Sequence, residues 1–334
     1  MEHSELGCLL DAFYNLFEVM IKFQTWDSLY GDILQLSFAT IDNFYDDPKL
    51  MYQSLKIISL FTVTPKNAVC VLKRGGFKYF LQALCLTNNC SSTFLEIIMS
   101  CIANLLRFKD GVDEATKNWN FTTSLIDCLI ENPQSGIICS YILSSLSMIS
   151  TFHNLLHFFR QNDLLLVVKN VYEHLNDVTI ASLFVEVLRQ ISKYGNNCIT
   201  LTQNEVLRLL YHVHDLFSGD IPIITGVLQT SKNLISSLGF ESIHIIKLYH
   251  LKERFQIHLS SQEKEIQLIS HGILSLIYSF DSKTNCIEHK QRRNGKEKSD
   301  FSLHRGIHFF KPDKREQFSV KKEYLSISTR LKKS

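Results

Sequence analysis

His153 and His157 stand four residues apart, a spacing that puts two imidazoles on one helix face. They could hold a zinc ion there if carboxylate or thiolate ligands converged on it. Nothing nearby completes such a site. The sequence has no H-E-x-x-H motif and no C-x-x-C pair among its nine cysteines, so both histidines are expected to be structural or surface residues. Cys85, Cys101, Cys128 and Cys139 fall within helical apolar patterns and are expected to behave as small buried hydrophobes. Cys90 falls at a turn. A thiol with no base beside it is a poor nucleophile, and no G-x-S-x-G, phosphate-loop or dinucleotide fingerprint points to other chemistry. The expectation is a protein with no enzymatic activity, no metal and no cofactor.

Residues suited to holding another macromolecule are better represented. A carboxamide offers a donor and an acceptor together, which is what the main chain of an extended peptide requires. Asn104, Gln190 and Asn233 hold the same place in a repeat of about 43 residues, and Leu60, Met148 and Ser275 fill that place elsewhere. A second set is the basic residues Lys290, Arg292, Arg293, Lys296, Lys298, Lys311, Lys314, Arg315, Lys321 and Lys322 near the end of the chain. They interleave with Phe301, Phe309, Phe310, Phe318 and Tyr324, and aromatic rings beside cations can stack on bases.

These residues sit in a chain of two unlike parts. The 334 residues are 45% apolar and 20% charged with only 5 Pro and 13 Gly, which is ample for a folded core and excludes a wholly disordered or low-complexity chain. The net charge of +2 hides a division near Asp281. From Lys283 to Ser334 there are 15 Lys and Arg against 6 Asp and Glu, which leaves residues 1–282 with 20 against 27. A mildly acidic body, 1–282, therefore carries a basic tail, 283–334. The tail loses apolar periodicity and is expected to be mostly disordered, because it cannot bury enough apolar surface to offset its ordering entropy. It could be a nuclear localisation signal, a nucleic-acid contact, a solubilising end or an intramolecular ligand for the acidic body.

Nine cysteines are too few for a disulfide scaffold, and no leader-like N-terminal run is present, so the compartment is expected to be intracellular, nucleus or cytoplasm, and not secreted. The sequons at Asn89 and Asn120 are then expected to be unused. No apolar run approaches the roughly 18 to 20 residues a membrane helix needs, so no membrane partner is expected.

Within the body the apolar residues recur at i, i+4 and i+7, one face of a helix, in two interleaved series. The first is Leu34/Phe38/Ile41, Phe77/Leu81/Leu84, Phe121/Leu125/Cys128, Leu164/Val168/Val171, Val206/Leu210/Val213 and Leu248/Lys252/Phe255. The second follows each by 20 or 21 residues: Ser54/Ile58/Phe61, Ile98/Ile102/Leu105, Ile142/Leu146/Ile149, Phe184/Leu188/Ile191, Val227/Ser231/Leu234 and Ile269/Ile273/Leu276. Phe13/Phe17/Met20 stands one period earlier. Each unit thus has two long antiparallel helices and no private interior, so neighbours must stack. Short apolar stretches such as Ala68–Leu72 and Leu155–Phe159 add a third, short helix. Asp47-Pro48, Gly75-Gly76, Asn132-Pro133 and Ser218-Gly219-Asp220 mark the breaks. The predicted fold is all-α, a right-handed α-solenoid of about six armadillo- or HEAT-type repeats.

VLKRGGFKYFLQAL followed by LEIIMSCIANLL, within Ala68–Phe108, resembles the armadillo consensus: a short helix, a glycine turn, an apolar helix and a third helix ending in an Asn-Leu pair. LEIIMSCIANLLRF, SLIDCLIENPQSGIICSYILSSLSMIS and NEVLRLLYHVHDLF further resemble, in pattern and order, the serum amyloid A-like proteins associated with synoviocyte proliferation. The resemblance implies an intracellular interaction protein in a growth-related pathway. In armadillo proteins that bind extended peptides, third-helix Asn side chains line a concave groove. The resemblance thus implies a groove at Asn104, Met148, Gln190, Asn233 and Ser275, with Met148 as an apolar pocket between polar anchors; solvated surface residues without a ladder are the competing reading. The expected activity is a scaffold for a protein partner, and a nucleic-acid-associated protein using its tail for phosphate contacts is the alternative.

Overall fold

In a computed structural model the described residues are 3–21, 29–44, 46–85, 92–117, 120–160, 162–202 and 206–293. Helices account for nearly all of them, and no strand occurs among them. The order is α1 (His3–Ile21), α2 (Leu29–Asn43) and α3 (Pro48–Thr62); α4 (Pro65–Lys73), α5 (Gly76–Cys85) and α6 (Ser92–Leu106); α7 (Lys109–Lys117), α8 (Phe121–Glu131) and α9 (Gly136–Phe152). A 3-10 turn, Leu155–Phe158, precedes α10 (Asp163–Tyr172) and α11 (Val178–Ser192). Then come α12 (Gly195–Thr202), α13 (Val206–Leu216) and α14 (Ile221–Leu238), and α15 (Ser242–Leu248), α16 (Leu251–Gln256) and α17 (Lys264–Arg293).

Each unit is a short first helix, a second helix and a long third helix. The third helices lie side by side in sequence order, α1 on α3, α3 on α6, α6 on α9, α9 on α11 and α11 on α14. Their starts are fixed by the chemistry of the turns before them. Asp47 Oδ1 accepts the backbone N–H groups of Lys49 (2.9 Å) and Leu50 (3.1 Å), and Pro48 begins α3 where a missing N–H costs nothing. Asp177 caps α11 through Thr179 and Ile180, Asp220 caps α14 through Ile223, and Ser135 caps α9 through Ile138. Gly75, in the left-handed region at φ 75°, turns the chain from α4 into α5.

The two apolar series form the core. Ile98, Ile102, Leu105, Ile142, Leu146 and Ile149 are completely buried, and the same holds closely for their counterparts in α3, α11 and α14. Each such side chain contributes about 1.5–3 kcal/mol, so the stack is held by a continuous apolar seam. Ser231, a polar member of the second series, is buried at no polar cost: its hydroxyl donates to the Val227 carbonyl (2.9 Å) and pairs with the Tyr211 hydroxyl (3.1 Å).

One expectation needs correction. The triad Leu248/Lys252/Phe255 does not lie on one helix. His250 adopts a left-handed conformation (φ 50°) between α15 and α16, leaving Leu248 exposed while Leu251 and Phe255 are buried. Helix α17 stays regular to Arg293, because a helix already nucleated propagates cheaply and the sequence offers no glycine or proline until Gly295. The chain divides into units Met1–Lys283 and Thr284–Ser334; residues 294–334 lie outside the described residues. No helix among the described residues is long and apolar enough to cross a membrane.

Candidate functional site

The third helices place the amide positions at one register along the stack. Leu60, Asn104, Met148 and Asn233 are half-buried there, Ser275 is exposed and Gln190 is buried. One turn earlier Lys56, Ser100, Ser144, Glu186, Gln229 and His271 hold equivalent places, none of them buried. Together they form a ridge on the third helices, half-exposed and mostly polar.

The amides are engaged with the protein itself. Asn104 Nδ2 donates to Thr62 Oγ1 (3.2 Å) on the preceding third helix, and Asn233 Nδ2 donates to Ser192 Oγ (3.0 Å) in the same way. Thr62 and Ser192 each follow the last apolar residue of their triads, so these bonds join corresponding positions of successive units. Asn233 Oδ1 also accepts from Gln229 Nε2 (3.2 Å). Gln190 is held within α11, donating to Glu186 Oε1 (2.6 Å) and accepting from Lys193 Nζ (2.6 Å). Burial pushes the Glu186 carboxyl up, but hydrogen bonds from Arg189 (2.6 and 2.7 Å) and Gln190 outweigh it and hold the group below the usual carboxylate range. Met148 packs against the core, and Leu106, the counterpart of Thr62, is apolar and buried. An amide has two N–H groups and a carbonyl, so the bond to Thr62 uses only one of the groups Asn104 offers.

The other residues singled out by type are placed as follows. Helix α9 ends at Phe152 and His153 is extended, so His153 and His157 share no helix face, contrary to the spacing argument. His153 Nε2 lies 3.4 Å from Asp113 Oδ1, and His157 Nε2 lies 3.2 Å from Asn154 Nδ2. Among the described residues no group of three or more His, Cys, Asp or Glu could hold a metal ion. Cys101, Cys128 and Cys139 are buried, and burial pushes the Cys101 and Cys139 thiols up to about 12. The Cys85 side chain and Cys90 lie outside the described residues. Lys290, Arg292 and Arg293 fall on α17; Lys296, Lys298, Lys311, Lys314, Arg315, Lys321 and Lys322 lie outside the described residues.

One polar cluster was missed in the sequence. His214 Nε2 and His258 Nε2 approach to 2.9 Å, both rings buried, beside a cleft of about 290 Å³ lined by His258, Asp220 and Glu263. His214 Nδ1 faces Asp215 Oδ1 (3.0 Å), which also accepts from Arg254 Nη1. Because a carboxylate only accepts, Nδ1 carries the His214 proton; Nε2 is then the acceptor and His258 the donor. Burial depresses both imidazoles below their ordinary range, and for His258 the neighbouring His214 adds to this. The signal was a separation of 44 residues, one repeat, between two histidines on different elements.

Comparison with solved structures settles the architecture. A designed armadillo repeat protein, YIII(Dq)4CqI, matches with a TM-score of 0.58 at 13% identity, over 73% of this chain and 98% of its own. The fold is armadillo-like. Computationally designed armadillo repeat proteins for modular peptide recognition match with a TM-score of 0.57 at 12% identity, over 73% of this chain and 98% of theirs. A designed armadillo repeat protein in complex with the peptide (KR)4 matches at 0.55 and 12%, over 75% and 99%. At such identities the likeness concerns the fold alone. No protein-family model and no curated protein sequence matches the chain.

Proposed function

We propose that this armadillo-like protein is a non-enzymatic scaffold that binds an extended segment of a partner protein along the ridge of its third helices. The observation that carries the reading is the ridge itself: one register, repeated from α3 to α17, where half-exposed polar side chains recur unit after unit. A rigid stack of this kind leaves the ordering cost to the flexible ligand. Asn104, Met148, Gln190, Asn233 and Ser275 are the groove candidates in this proposal. Asn104 and Asn233 have capacity beyond their inter-helix bonds, Met148 supplies apolar contact and Ser275 is exposed. Gln190 acts through the α11 network rather than by direct contact. The neighbour in complex with (KR)4 supports a peptide as the ligand class. Membership of the serum amyloid A-like family, a role in proliferation and a nuclear or cytoplasmic site belong to the same proposal, and rest on the order of the three sequence segments that resemble that family.

The test is selection of binders from a random peptide library on the intact chain, followed by titration of a selected peptide. Ser144→Arg places a long charged side chain across the ridge without touching the amide bonds. It is expected to weaken the peptide at least about tenfold, or 1.4 kcal/mol. Unchanged affinity would place the binding elsewhere.

A further inference from the structure

A line of three side chains runs from Asp215 on α13 into the cleft at the starts of α14 and α17. Asp215 Oδ1 faces His214 Nδ1 (3.0 Å), and His214 Nε2 faces His258 Nε2 (2.9 Å). The proton order along this line puts the His258 N–H at Nε2, so its Nδ1 is a lone-pair acceptor. His258 is only 8% exposed, yet it lines the cleft. Its Nε2 turns away to His214, which does not line the cleft, and Nδ1 is the polar atom left on the cleft side. No hydrogen bond from the described residues reaches Nδ1, and the atom is not sealed inside the protein. A buried acceptor, fixed in orientation by its neighbour and open toward a cavity, calls for a donor from outside the chain.

The walls of the cleft select the donor. Asp220 caps α14 through Oδ1, on the Ile223 N–H (2.9 Å), and its Oδ2 has no partner among the described residues. Glu263, just before α17, is exposed, and its carboxylate has no partner among them either. Two carboxylates against two helix N-termini, each equivalent to roughly +0.5 of a charge, leave the cleft at about −1. An added anion is therefore repelled. Burial keeps both imidazoles below their ordinary range, so near neutral pH His258 has no Nδ1–H to offer an anion. Ile221, Ile224 and Ile266 supply apolar wall, and the volume of about 290 Å³ is below the roughly 300–1,000 Å³ of pockets for drug-sized ligands. There is room for one side chain or a small amine.

We infer that this cleft binds a primary ammonium group on an apolar stem, carried by a lysine side chain of a partner protein or by a free polyamine. An ammonium has three N–H donors and no acceptor. Three acceptors meet it: His258 Nδ1, Asp220 Oδ2 and the Glu263 carboxylate. The stem lies against the three isoleucines. The site is separate from the ridge, whose positions on these helices, Gln229, Asn233, His271 and Ser275, fall in later turns, so it holds whether or not a peptide lies there.

The experiment is histidine-selective nitrogen-15 NMR of the full chain near neutral pH, with the His258 ring identified as the signal lost in His258→Gln. The probe is n-pentylammonium, with pentanol and pentanoate as its neutral and anionic counterparts. Pentylammonium should displace the His258 Nδ1 signal saturably, and the other two should not. Asp220→Asn combined with Glu263→Gln removes both charges and keeps an N-cap acceptor for α14; it should weaken binding at least about tenfold. Tighter binding of an acetylated peptide with one central lysine then assigns the cleft to a partner's side chain, and tighter binding of diaminopentane assigns it to a free polyamine. Displacement of the signal by pentanoate, or an equal response of parent and double variant, overturns the proposal. So does a parent chain that gives no saturable response to any amine, a result that stands even if the double variant fails to fold.

Discussion

Two seams of the stack solve one packing problem in opposite ways. Between α11 and α14 the register position is an amide, Asn233, bonded to the Ser192 hydroxyl, and the helices approach closely at Gly226. Between α6 and α9 the same position is Met148, the hydroxyl is replaced by buried Leu106, and the close-approach place holds half-buried Tyr141. The position tolerates amide or thioether provided its partner across the seam matches, because a buried polar group without a bond costs about 1–3 kcal/mol while a made bond contributes only about 0.5–1.5 kcal/mol. The amides Asn104 and Asn233 of this row therefore record bonding between successive units.

The largest expected effect comes from closing the gap in the polar seam. A Cβ at residue 226 would lie 2.5 Å from Val185 Cγ1, so Gly226→Val should destabilise by about 1–3 kcal/mol or more. Adding Val185→Ala should recover a large part, as measured by urea unfolding in a double-mutant cycle. Full additivity of the two changes would show that the helices do not meet there.

Acid should weaken the stack one unit further on, where α13 meets the 3-10 turn at Ile257–Ser260. His214 and His258 both titrate below their ordinary 6.5 in the folded chain. The unfolded chain thus binds more protons as pH falls below about 6.5, and stability drops from there down to the folded values. His258→Leu should cost about 1–3 kcal/mol at neutral pH, by stranding His214 Nε2, and should flatten the acid limb of a melting-temperature profile. An acid limb as steep as the parent's would assign the dependence to other groups.

Exchanging the two kinds of seam is the sharper test. Met148→Asn should destabilise, since Leu106 offers its amide no partner, and Leu106→Thr should rescue it in the double variant. No coupling between the two would undo the matching rule. The smallest effect is expected from Asn233→Ala or Asn104→Ala, each about 0.5–1.5 kcal/mol in denaturant unfolding.

Much of the fold was legible because the apolar period of about 43 residues reports directly on what must be buried. Core positions such as Ile98, Ile102 and Leu105 needed only helical geometry to be placed. The turn at His250 was not legible, because a left-handed histidine leaves no mark in apolar spacing. The amide register was readable, but its partners were not, since Thr62 and Ser192 lie about one period away and are chosen by the stacking of units.

The central claim, that an extended segment lies on the third-helix ridge, is tested most directly by site-specific photocrosslinking with a library-selected peptide. Benzoylphenylalanine at residue 144 on the ridge should capture the peptide, whereas the same group at exposed residue 169 on second helix α10 should not. Capture at 169 and none at 144 would contradict the account.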